Sequence, residues 1–233
     1  MSAPDRDGPG GSGGTVALVP LRDGVSGKSR LASALDPAAR RRLVAALARH
    51  VVAVLRASDG VDRVLVVTAD EPFVVETLDR LLHGGGPDVE VVPQPPGRPG
   101  LNAALDVGRE AVVDRGADRL LVAHADLPLL APDDVAALLA AGATGDAPPA
   151  VVATDRHLAG TNLLVLPATA AFRFRFGEAS RTAHVAEAGR AGLRPVVVRR
   201  PGTAVDLDTI DDWGELPRAV RDRLRHGLDL PLP

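Results

Sequence analysis

TVALVPLRDGVSGKSRLASALDP, residues 15–37, carries the pattern that decides the fold. Its first six residues are a short, apolar, β-branched run suited to a strand buried on both faces. Asp36 and Pro37 then offer an N-cap and a first-turn proline. Beyond them Leu43, Leu47 and Val51, flanked by Val44 and Val54, recur at helical spacing. Working outward, DRVLVVT (62–68), VEVV (89–92) and RLLVA (119–123) read as further buried strands, with helices opening at Asp70-Glu71-Pro72, near Leu101 and at Pro132-Asp133-Asp134. AVVAT (150–154), NLLVL (162–166) and PVVV (195–198) continue the series. A helix is predicted from about Ser180 to Ala191, and a last one after AVDLDT. Phe172, Phe174 and Phe176 alternate with arginine, which predicts a strand with one buried and one basic face. Alternating β and α elements imply an α/β, three-layer, Rossmann-like domain with a mostly parallel sheet, and the close strands at 150–166 make that sheet mixed. The expected organisation is a disordered tail over 1–14, a single domain over 15–226 and a short C-terminal tail over 227–233.

Composition narrows the chemistry. The chain has 233 residues, 45% of them apolar, which is enough for one α/β domain with an ample core. With no cysteine there is no disulfide framework, thiolate metal site or cysteine nucleophile. Aromatic residues at 2% disfavour base-stacking platforms, and a net charge of −3 argues against a nucleic-acid binder. No run approaches the ~20 apolar residues of a membrane span, and no signal-peptide core follows the N-terminal tail. A cytoplasmic protein with no membrane partner is expected. Lysine occurs once among 27 basic residues and asparagine twice, so Lys28, Asn102 and Asn162 stand out from an arginine-rich, GC-biased background.

Candidate chemistry sits where strands end. The loop LRDGVSGKSRL leaves the carboxyl end of the first strand, and its Lys28 and Arg30 offer charge to phosphate. It is not a P-loop, because Arg22 stands where that motif requires glycine. Asp126 follows RLLVA and is placed to ligate Mg²⁺, which needs only one or two carboxylates. Asp206 and Asp208 fall two apart on an extended stretch and face the same side, so a cation would relieve their repulsion. Asp208-Thr209 also fits a helix cap, which leaves Asp206 the better ligand and the choice between Asp206 and Asp208 open. Asp133 and Asp134 are explained as helix N-terminal residues. Asn102 either reads a base or caps its helix. Thr161 and Asn162 open a strand. Gly177 and Ser180, at the start of a helix, form an anion-binding arrangement, and His184 shares the helix face of Ser180.

Six segments in order, VPLRDGVSGKSRLA, GLNAAL, HADLP, GTNLLVL, FGEAS…H and VDLDT, resemble the guanylyltransferases of deazaflavin coenzyme F(420) biosynthesis over about residues 15–215. That family acts on phosphoenolpyruvate or 2-phospho-L-lactate, and in fold it resembles the molybdenum-cofactor guanylyltransferases. The resemblance implies a nucleotidyltransferase domain that joins GTP to a phosphorylated three-carbon acid and releases pyrophosphate. It implies that Thr161, Gly177 and Ser180 hold the acid and that Asp126 and Asp206 hold Mg²⁺. Pro20, Lys28 and Asn102 would meet the nucleotide, and Lys28, Arg30 and Asp126 would serve the transfer itself. Arg22 stands where the family usually has lysine, which keeps the charge. A homodimer is compatible with the sequence. The alternatives are a related nucleotidyltransferase for a sugar phosphate or the molybdenum cofactor, or a nucleotide-binding protein without catalysis. The usual glycine-rich opening, Leu-Ala-Gly-Gly, is absent here, which weighs against the first.

Overall fold

Both faces of the first strand, β1 (Thr15–Pro20), are apolar, and both are buried: Val16 and Leu18 enter one core while Ala17 and Val19 enter the other. A strand covered on both sides belongs in the middle of a three-layer sheet, and β1 lies there. The structure is a computed structural model that describes residues 14–22, 29–143 and 147–232. The expected N-terminal tail, apart from residue 14, lies outside the described residues.

Six more strands complete the sheet: β2 (Arg63–Thr68), β3 (Asp88–Pro93), β4 (Arg119–Ala123), β5 (Pro149–Thr154), β6 (Thr161–Pro167) and β7 (Arg194–Val198). Their order is β3-β2-β1-β4-β6-β5-β7. Every neighbouring pair is parallel except the two that involve β6, which runs antiparallel to both β4 and β5. The sheet is therefore mixed through one reversed strand. Chain order turns back between β1 and β4, the kind of switch point where open α/β sheets leave a crevice.

Helices α1 (Pro37–Ala57), α2 (Glu71–Leu82) and α4 (Pro132–Ala141) cover one face. Helices α3 (Leu101–Asp114) and α5 (Ser180–Arg190) cover the other. The predicted caps form: Asp36 accepts the amide of Ala39 at 2.7 Å and Asp70 that of Phe73 at 3.1 Å. Gly108 lets α3 approach β1 closely, because a Cβ there would collide with the Leu18 side chain.

Three expectations need correction. Phe172–Phe176 is extended, with its phenylalanines buried and Arg173 and Arg175 exposed, yet it pairs with no strand among the described residues. Three of its amides go to side chains instead. The last helix is two, α6 (Ile210–Glu215) and α7 (Arg218–Leu228), separated at Leu216 and Pro217. The stretch beyond 227 is not a free tail over its described residues, since Leu230 and Leu232 are buried. They join a third core with Leu31, Leu35, Leu43, Leu47, Val205, Leu207 and Trp213. Helix α1 thus has two apolar stripes, one for the sheet and one for this core.

Candidate active site

The carboxyl ends of β1, β2, β3 and β4 open into a cleft of about 850 Å³. Because β6 is reversed, its amino end, with Thr161 and Asn162, arrives at the same edge. One backbone bond records the meeting: His124 N–H, just past β4, donates to Asn162 O at 3.1 Å.

Carboxylates gather at this edge. Leu207 N–H donates to Asp126 O at 3.0 Å, which brings the 206–208 segment beside the end of β4. Asp126 and Asp208 line the cleft. The Asp206 carboxyl is pushed above its ordinary range, first by burial, then by the neighbouring Asp126 charge and, less, by Asp208. Asn162 offsets part of this, with Nδ2 donating to Asp206 Oδ1 at 3.3 Å and to Thr203 O at 2.9 Å. Asp208 does not cap the following helix. Thr209 is the N-cap, and Asp212 Oδ2 accepts from the amides of Asp208 and Thr209. Asp212 also pairs with Arg156 at 2.7 Å, so the 206–209 segment is braced to the β5–β6 turn. Among the described residues no three His, Asp or Glu side chains are grouped to hold a metal by themselves. A carboxyl whose proton affinity is raised by its carboxylate neighbours suits a hard cation that keeps several waters, and this donor set fits Mg²⁺.

The second group is hydroxyl-based and buried. Thr161 N–H donates to Ser180 Oγ at 2.9 Å, and Thr161 Oγ1 lies 2.9 Å from His184 Nδ1. Thr161, Ser180 and His184 are all at most 3% exposed. Gly177, beside them in the chain, has φ +133°, a region that L side chains rarely adopt, and Ala179 enters α5 in the left-handed region. Asn162, adjacent to Thr161, connects this group to the carboxylates.

Pro20 and Arg22 line the cleft, and Arg30 is exposed in a 3-10 turn, Ser29–Leu31. Lys28 lies outside the described residues. Asn102 does not cap its helix, whose N-cap is Gly100. Its Oδ1 accepts from Phe176 N–H at 2.9 Å and its Nδ2 donates to Phe176 O at 3.1 Å. His124, Asp70 and Gln94 line the cleft without having been singled out. HADLP did contain His124, but a histidine between a strand and an aspartate carries no distinguishing local pattern.

Residues 15–222 match the family described as "Guanylyl transferase CofC like". The phosphoenolpyruvate guanylyltransferase of Rubrobacter xylanophilus is 42% identical over 200 residues, covering 86% of this chain and 92% of that protein. The enzyme of the same name from Sphaerobacter thermophilus is 39% identical over 203 residues, covering 87% and 92%. Among solved structures, a Desulfovibrio desulfuricans protein assigned as a nucleotide-diphospho-sugar transferase superposes with a TM-score of 0.68 at 16% identity, over 93% of this chain and 96% of that one. A CMP:2-keto-3-deoxy-manno-octonic acid synthetase solved with CTP gives 0.57 at 15%, over 92% and 99%. At these identities the likeness is one of fold.

Proposed function

The chain belongs to the CofC-like guanylyl transferase family, and on that premise we propose that it transfers GMP from GTP to phosphoenolpyruvate, releasing pyrophosphate, in coenzyme F(420) biosynthesis. One observation carries the reading beyond kinship: a half-buried carboxylate pair and a buried pair of hydroxyls meet at one sheet edge, joined by Asn162. That edge suits two polyanions brought together over a cation.

The nucleophile is an oxygen of the acid's phosphate, already anionic at neutral pH, so the transfer needs no strong general base. The O–P bond to the α-phosphorus forms as the bond to pyrophosphate breaks. The protein therefore has to place two polyanions and neutralise charge as it shifts to the leaving group. Asp126 and Asp206 would hold Mg²⁺, which supplies charge neutralisation at the phosphates. Lys28 and Arg30 would neutralise the departing pyrophosphate by charge, with Arg22 and Pro20 at the nucleotide side of the cleft. Thr161, Ser180 and the Gly177 turn take the acid: both hydroxyl oxygens already accept a bond within the protein, leaving their protons to donate to an anion. Asn102 serves the site by fixing Phe176, one residue before Gly177.

Mass spectrometry of products formed from GTP with phosphoenolpyruvate, 2-phospho-L-lactate or 3-phosphoglycerate tests the proposal. A guanylylated diphosphate from phosphoenolpyruvate is expected. Product from none of the three, with GTP still bound, would favour a nucleotide-binding protein without this activity.

A further inference from the structure

The extended stretch Phe172–Phe176 is held by a ladder of side chains where a strand would have a neighbour. Glu187 Oε1 accepts Arg173 N–H at 2.8 Å, His184 Nε2 accepts Arg175 N–H at 3.0 Å, and Asn102 Oδ1 accepts Phe176 N–H at 2.9 Å. Glu187 is itself fixed by Arg190, whose guanidinium holds the carboxyl well below its usual range. His184 reaches out of the ladder toward the hydroxyl group, through Nδ1 to Thr161 Oγ1 at 2.9 Å.

Its tautomer follows from the partners. A backbone amide can only donate, so Nε2 is the bare nitrogen and the ring proton sits on Nδ1. That proton is given to Thr161 Oγ1, and the hydroxyl is left with its own proton to donate elsewhere. The ring is fully buried, with its centroid 4.6 Å from that of Phe176 and 5.7 Å from that of Phe172. Burial lowers its pKa to about 4, so the neutral ring that this pattern requires is the state present near pH 7.

We propose that His184 is a positioning residue for the acid substrate, which makes Thr161 an obligate donor and ties the Phe-Arg stretch to the start of β6. Ser180, one turn earlier on α5, would then present the second donor in register with the first. The inference rests on the assignment of Thr161 and Ser180 to the acid, and it adds the group that sets their polarity.

Steady-state kinetics of the full chain with GTP and phosphoenolpyruvate provide the test, using His184→Phe, His184→Gln, Thr161→Val and the His184→Phe/Thr161→Val double variant. Loss of one buried bond and misdirection of another should raise KM for phosphoenolpyruvate about tenfold in His184→Phe, with KM for GTP within about twofold. His184→Gln, whose amide can accept from Arg175 N–H and donate to Thr161, should recover most of the loss. The double variant should be no worse than Thr161→Val, because the histidine acts through that hydroxyl. Equal rises in both KM values, or additive effects in the double variant, would overturn the proposal. Should His184→Phe not fold, the imidazole ¹⁵N spectrum of the unaltered protein decides: an Nδ1–H tautomer perturbed by phosphoenolpyruvate supports the role, and an Nε2–H tautomer overturns it. The two failures remain distinct. No product from any phospho-acid defeats the functional reading, whereas product with an unchanged KM in His184→Phe defeats this inference alone.

Discussion

Asp206 shows how a single residue trades stability for chemistry. Its folded-state pKa is raised, first by burial and then by Asp126, so the native protein holds that proton more tightly than the unfolded chain does. The stabilisation from that proton is present below the ordinary carboxylate range and disappears as pH climbs through the raised value, so ionising the group is a cost to the fold. Asp206→Asn removes the charge and keeps an acceptor for Asn162. We expect this variant to lose turnover while the metal-free protein melts about 2–4 °C higher, the shift that ~1 kcal/mol gives a domain of this size. Scanning calorimetry with and without Mg²⁺ checks it: the cation should raise Tm in the unaltered protein and scarcely in the variant. Asp126→Ala should also abolish turnover with the fold intact by circular dichroism, and near-normal activity would remove Asp126 from the metal site. Both carboxylates were legible because each stands beside an apolar stretch, where a charge has to be accounted for. The bonds of Asn102 to Phe176 were not legible, because that partner is 74 residues away and no window around position 102 contains it.

At the scale of the element, pattern was easier to read than pairing. The alternation in FRFRFG identified the buried and exposed faces correctly, since period two follows from extended backbone alone. Whether such a stretch joins a sheet depends on what lies beside it, and here the neighbours are side chains of α3 and α5. Sheet order was hidden for the same reason. The turn that follows FRFRF offers a test. At Gly177 no atom stands within 4 Å of the place a Cβ would occupy, so Gly177→Ala would meet no steric clash and would act through its φ of +133° alone. A cost of about 1 kcal/mol in stability is expected, with a severalfold rise in KM for the acid and little change for GTP. Thermal melts and paired Michaelis curves would show both, and an unchanged KM for the acid would separate this turn from the acid site.

The whole molecule is knitted together by its third core. Val205 and Leu207, on either side of Asp206, share that core with Leu31 and Leu35, from the stretch before α1, and with Leu230 and Leu232. The sequence showed α1 as amphipathic, but nothing in it disclosed a second stripe, because the residues that cover it come from the far end of the chain. Leu230→Asp should therefore reach the site at a distance. Burying a charge there ought to cost about 3 kcal/mol or more, lowering Tm and reducing kcat even at temperatures where the protein remains folded. Activity and ellipticity followed on one temperature series would separate the two losses, and parallel loss would indicate global unfolding alone.

The reversed strand β6 has a consequence for the thermodynamics of recognition. Thr161 and Asn162 begin a strand that is hydrogen-bonded to β4 on one side and β5 on the other, so under the proposed function Thr161 would be immobilised before the acid arrives. The nucleotide would under that function be met by the cleft-lining segments that follow β2 and β3. Of the two association events, capture of the acid would then have the smaller ordering penalty, with the selectivity of a rigid template.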